Sequence, residues 1–353
     1  MNQVLKFENK KEFESKDLTI YSPISPAKVT AVYDSYWRFA ALRQQAFFNR
    51  LKGSPYPWSD DAIINKYRFT NVYRASDRVS QYLIQNVIYN EEFPNSPKEM
   101  LFRILLFKLF NKIETWELLR DRIGLLTFED YEFKLYDDIL SDALIHKKKI
   151  YSAAYIMPSG RSTFGFERKH SNHLKLIELI VGEDTHLKLQ DANRMQQAFE
   201  IIKSFPGLGD FLAYQILIDI NYSSIIDFSE SEFVVPGPGA KGGISKCFSD
   251  KAGLSDVEVI KLMTDRQEIE FDRLGLKFNT LWGRSLQLID CQNIFCEVDK
   301  YARVKHPEIK GDSDRSKIKQ SYRVNSKPLR FWFPPKWGIN ENIEKESHLQ
   351  TFK

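Results

Sequence analysis

The side chains best placed to do chemistry are a few carboxylates set among apolar or turn-forming residues. Asp219 interrupts the apolar run AYQILIDI, and Glu232 stands directly before FVVPGPG, with Asp227 as a nearby substitute. A carboxylate held among apolar neighbours rises in pKa and becomes a proton acceptor near neutrality. One such group can orient a water or stabilise an oxocarbenium-like centre. Asp77 is the third candidate. It lies beside Asn71, Arg74 and Arg78, which on a helix would share one face. Two arginines four residues apart repel unless an anion or carboxylate sits between them. The cluster therefore reads either as phosphate and base capture or as a structural Arg–Asp network. Glu297 and Lys300, with Tyr301 beside them, read either as a surface ion pair or as a pocket acid with its partner.

The segment Phe205-Pro206-Gly207-Leu208-Gly209-Asp210-Phe211-Leu212-Ala213 has the form of a helix-hairpin-helix. Gly207 and Gly209 permit a tight turn and close approach of backbone to a phosphate. The N–H groups opening the next helix then face that phosphate, aided by the helix dipole. Such contacts position a protein on DNA without reading its sequence. A glycine-capped helix corner is the plain alternative. Tyr214 and Gln215 follow the hairpin and, with Asn71, are the candidates for a base pocket. Lys241 and Lys246, in and after GPGAKGG, are expected to extend the positive surface. DNA glycosylases with this hairpin place a Schiff-base lysine two residues after the second glycine, where this chain has Phe211. Their water-activating Asp falls near Pro236–Gly239, which holds no carboxylate, so Glu232 is the expected replacement.

Several classes of chemistry are disfavoured. Three cysteines, Cys247, Cys291 and Cys296, make neither a disulfide framework nor an all-cysteine iron–sulfur site. His170 and His173 lie three apart without an evident third ligand, so no metal and no cofactor are expected. GPGAKGG is not the GxxxxGK[ST] phosphate loop. The charged start MNQVLKFENKKEFESK is unlike a secretory leader, and no apolar run approaches a bilayer span. A cytoplasmic location is expected.

The elements that must position these residues are helical. From Ala31, Val32, Tyr36, Phe39, Ala40, Arg43 and Phe47 recur at three-to-four spacing. Helical stretches are expected at 69–90, 97–122, 129–148, 170–185, 190–204, 243–250, 255–267 and 283–304, with loops at 149–168 and 229–243. The fold class is all-α, glycosylase-like, with few or no short strands. The organisation is an arm over 1–28, a helical domain over 29–302 with its hairpin at about 190–222, and a basic extension over 303–353. Net charge is +4, yet residues 303–330 alone carry nine Lys and Arg against three Asp and Glu. That concentration suits nucleic acid.

Four blocks go further: RFTNVYRASDRVSQYL at 68–83, FLAYQILIDINYS at 211–223, EFVVPGPGAKGGISKCF at 232–248 and DCQNIFCEVDKYARV at 290–304. Together they resemble the α-glutamyl/putrescinyl thymine pyrophosphorylase family, whose helix-hairpin-helix fold is glycosylase-like, and within it an anti-phage DNA glycosylase branch. The resemblance implies a monofunctional glycosylase. It would flip a bulky modified pyrimidine, such as glucosylated hydroxymethylcytosine, from double-stranded phage DNA and leave an abasic site. Another branch implies a transferase that replaces pyrophosphate on 5-hydroxymethyluracil with an amine. A non-catalytic DNA-binding module is a third expectation. No membrane and no obligate protein partner are expected.

Overall fold

The computed structural model describes residues 19–21, 26–153, 157–312, 315–324 and 330–343. The helices, in chain order, begin with α1 (Ala31–Leu51), α2 (Ala62–Lys66), α3 (Arg78–Tyr82), α4 (Pro97–Phe110), α5 (Ile113–Ile123), α6 (Phe133–Ile145) and α7 (Arg161–Phe164). They continue with α8 (Lys169–Gly182), α9 (Thr185–Gln190), α10 (Met195–Lys203), α11 (Asp210–Asn221), α12 (Pro238–Cys247), α13 (Asp256–Arg273) and α14 (Leu288–Lys305). Three short strands, β1 (Thr19–Tyr21), β2 (Pro26–Val29) and β3 (Phe248–Asp250), form one antiparallel sheet in that order. The fold is therefore all-α with a minor sheet. No helix of the described residues is long and apolar enough to cross a membrane.

The chain divides into two compact units. The first comprises Met1–Asp77, Val234–Phe331 and Ile339–Lys353; the second comprises Arg78–Phe233 and Trp332–Gly338. In the first unit, α1 starts where Thr30 accepts the Val32 N–H, and α13 starts at a reciprocal Ser255–Glu258 capping box. Helices α12 and α14 pack unusually close. A Cβ on Gly243 would sit 2.1 Å from the Phe295 carbonyl oxygen, and one on Gly239 3.0 Å from Cys296 Sγ. The glycines of GPGAKGG are thus a packing surface. Pro238 at the first helical position starts α12 inside the segment expected to be loop. Buried Arg266 pairs with Glu270, which also holds Arg273, and Arg273 reaches Asp34 on α1.

The second unit is organised around α4. Every residue from Met100 to Phe110 is buried, so this stretch is enclosed on all sides and its two buried cations, Arg103 and Lys108, need internal partners. Arg103 donates to the carbonyls of Val87 and Pro94 at 3.0 and 2.8 Å. Lys108 pairs with Asp219 of α11 at 2.8 Å. The helix expected over 97–122 is really two, because Asn111 takes φ +49°, a left-handed cap that ends α4. The stretch expected as one helix over 69–90 also differs. A single 3-10 turn, Arg74–Ser76, precedes α3, and a π-helical segment, Leu83–Ile88, follows it. The 1–28 arm lies largely outside the described residues.

Candidate functional site

In the first unit the segment before α3 folds onto α1 and α14 through polar contacts. Asn71 donates its backbone N–H to Asp77 Oδ1 at 2.7 Å and its side-chain amide to the Ser76 carbonyl at 2.6 Å. Arg43 of α1 donates to Asn71 Oδ1 at 2.5 Å and to the Thr70 carbonyl at 3.0 Å. From α14, Asn293 donates to the Asn71 carbonyl at 2.9 Å. Glu297 accepts the Thr70 N–H at 3.2 Å and pairs with Lys300 at 2.6 Å. The result is a half-buried ring of two carboxylates, two cations and two amides.

The electrostatics of this ring are unusual. Desolvation pushes the Asp77 carboxyl up to about 7, although the Asn71 N–H and the Arg43 guanidinium both favour its anion. Burial lowers the pKa of Arg43, against the opposing charge of Asp77. A carboxyl that titrates near neutrality beside a fixed cation can accept and return a proton at working pH. Neighbouring Lys300 and Arg43 can offset developing negative charge.

The structure brings Asn71 and Asp77 into direct contact, but not on one helical face with Arg74 and Arg78. The loop-like backbone before α3 breaks that periodicity. Arg74 is buried, and its N–H is held at 2.9 Å by Asp290, which also caps α14. Arg78 is exposed at the start of α3. Of the two lysines expected on the surface, Lys241 is exposed. Lys246 is instead buried and paired with Asp299 at 2.8 Å, because the close α12–α14 packing turns it inward. Sequence reading left out Arg43, Thr70 and Asn293. Their signal was a charged residue, Arg43, on the otherwise apolar stripe of α1.

In the second unit the hairpin forms between α10 and α11. Gly207 takes φ +79°, and Gly209 sits at the N-cap of α11 in extended geometry. Tyr214 and Gln215 are buried on α11, the Tyr214 hydroxyl donating to the Phe233 carbonyl at 3.3 Å. Asp219 is not on a solvated face: its carboxylate is 3% exposed and pairs with Lys108. Glu232 is exposed in the turn that precedes Phe233. His170 bonds to Ser141 at 3.1 Å, and His173 lies 2.8 Å from both the Tyr151 hydroxyl and the Pro158 carbonyl.

The class the two units define is an all-α protein, one unit holding a glycine hairpin and the other a carboxyl whose pKa is raised by burial. Residues 30–311 match the family model described as "5-hmdU DNA kinase, helical domain", and the chain belongs to that family. It is 26% identical over 295 residues to the 5-hmdU DNA kinase of Bacillus phage SP10, which covers 78% of this chain and 46% of that protein. The chain thus spans less than half the length of that relative. No solved structure matches. The family corrects the glycosylase reading. The relationship to hydroxymethyluracil-modifying enzymes holds, but a kinase is a transferase, and hydrolysis of an N-glycosyl bond and the anti-phage glycosylase branch are set aside.

Proposed function

We propose that this protein is a transferase that modifies 5-hydroxymethyluracil in double-stranded DNA at the 5-substituent, leaving the glycosidic bond intact. Family membership over residues 30–311 supports the substrate class, and the Asp77 carboxyl titrating near 7 beside Arg43 carries the chemistry. The hairpin N–H groups at Gly209 and the start of α11 hold a backbone phosphate. The base is extruded so that its substituent is reached. Asn71 is a proposed contact to the base, and exposed Arg78 and Lys241 are proposed contacts to DNA, whereas Tyr214 and Gln215 are buried in the packing of α11.

In phosphoryl transfer, the hydroxymethyl oxygen bonds to phosphorus, the bond from phosphorus to the donor's bridging oxygen breaks, and Asp77 takes the hydroxyl proton. In a second form the same carboxylate serves amine transfer. An amine nitrogen bonds to the methylene carbon, pyrophosphate departs with the C–O electron pair, and Asp77 takes the amine proton. Arg43 and Lys300 neutralise the growing negative charge in both.

Mass spectrometry of nucleosides after incubation decides the matter. Duplex containing 5-hydroxymethyluracil is given ATP in one arm. Pyrophosphorylated duplex is given an amine in the other. A changed 5-substituent without abasic sites is the expected result. Unchanged nucleosides in both arms overturn the proposal.

A further inference from the structure

The second unit holds a cationic loop braced against the hairpin, and we propose that residues 147–149 and 158–169 join the Gly207 hairpin in a single surface for the duplex-DNA backbone. The identity of the polymer rests on the function proposed above. The placement of the loop stands on its own contacts.

Two buried side chains of α8 are committed to the backbone of this exposed loop. Asn172 donates to the carbonyls of Ser159 and Phe166, each at 2.9 Å, and accepts the Phe166 N–H at 3.0 Å. His173 donates through Nε2 to the Pro158 carbonyl and accepts the Tyr151 hydroxyl through Nδ1, each at 2.8 Å. A Cβ on Gly207 would meet Pro158 Cγ at 3.4 Å, so the braced loop rests on the hairpin turn. The Tyr151 ring carries the Lys169 ammonium 4.7 Å from its centre. An unbroken chain of contacts therefore runs from Lys169 through Tyr151, His173 and Pro158 to Gly207.

The charges on this frame are almost all positive. Lys147, Lys148, Lys149, Arg161 and Arg168 are exposed, and Lys169 is half-exposed. Glu167 stands 3.9 Å from Arg161, a loose pair of two exposed groups. Asp137 is turned inward to Ser171 at 2.5 Å and to His170 at 3.2 Å. Among the described residues, Lys147, Lys148, Lys149 and Arg168 have no carboxylate partner. Exposed cations on a braced backbone beside a glycine turn offer phosphate contacts, and a loop already held in place lowers the ordering cost of binding.

The test is salt-dependent binding of the full chain to an unmodified duplex of about 20 base pairs, a probe on which no transfer can occur. The triple variant Lys149→Ala/Arg161→Ala/Lys169→Ala is compared with Lys98→Ala/Lys134→Ala/Lys188→Ala. The second set removes the same charge from ion-paired positions elsewhere on this unit. The first triple is expected to weaken binding at least about tenfold. It should flatten the log–log salt slope by about 2 to 3, near 0.9 per lost phosphate contact. The control should move the slope by less than about 1. Equal shifts in both triples, no shift in the first, or no duplex binding by the wild type overturns the surface. Absence of any change at the 5-substituent of modified duplex, with this binding pattern intact, overturns the functional reading alone.

Discussion

Asn71 and Asp77 are joined backbone to side chain across 2.7 Å, and that bond holds a carboxyl that desolvation has pushed up to about 7. The raised pKa means the folded state retains a proton that an unfolded Asp, near 3.8, has already released. Stability from this group is therefore lost as pH rises from about 4 to about 7, and the cost is constant above that. Conversely, the fraction of Asp77 able to accept a proton grows over the same upper range. Transfer is expected to rise with pH through an inflection near 7. Asp77→Asn should remove the inflection and lower kcat about 100-fold or more. A pH–rate profile of the variant that keeps the inflection would assign it to another group.

The buried Lys108–Asp219 pair predicts a stability effect. Lys108→Met leaves the Asp219 carboxylate buried without this charge partner, and unfolding free energy is expected to fall by about 3–5 kcal/mol. Lys108→Met/Asp219→Leu should recover a large part of that loss. Denaturant titrations of the two single variants and the double variant close the cycle. Strict additivity would show that the two charges do not interact.

Gly243→Ala tests the contact between α12 and α14. The new methyl would lie 2.1 Å from a backbone oxygen, which cannot swing aside like a side chain. A loss of about 3 kcal/mol or more is expected, read as a lower Tm. Gly253→Ala is no control, because its φ of +84° would itself add strain. Gly182→Ala is the suitable one, with open space at its Cβ.

His173 makes a prediction for acid. Burial lowers its pKa from 6.5 to about 4, helped by Lys169 and His170 and opposed by the Pro158 carbonyl. Its contribution to stability is complete above 6.5 and is lost as pH falls toward 4. The wild type should therefore lose stability relative to His173→Gln across that window. A constant difference between the two proteins from pH 7 to pH 4 would show that His173 protonates freely in the fold.

The sequence by itself determined the helical class, the start of α1 at Ala31 and the hairpin between α10 and α11. These follow from local physics: apolar spacing, N-capping side chains and glycines where the turn needs them. It also singled out Asp77 and Asn71, because charged and amide residues crowded into one short block need partners. Where those partners lie was decided by tertiary structure. Arg43 is 34 residues before Asp77, and Glu297 lies 227 residues beyond Thr70. Only the packing of α1 and α14 against that block makes them neighbours. Burial was equally hidden. Lys246 and Asp219 look like surface and site residues in the chain, yet each faces a buried opposite charge on another helix, Asp299 and Lys108. Residue type states what a side chain can do. The low dielectric around it, set by distant segments, decides whether its pKa is raised, as at Asp77, or it becomes half of a structural ion pair, as at Asp219.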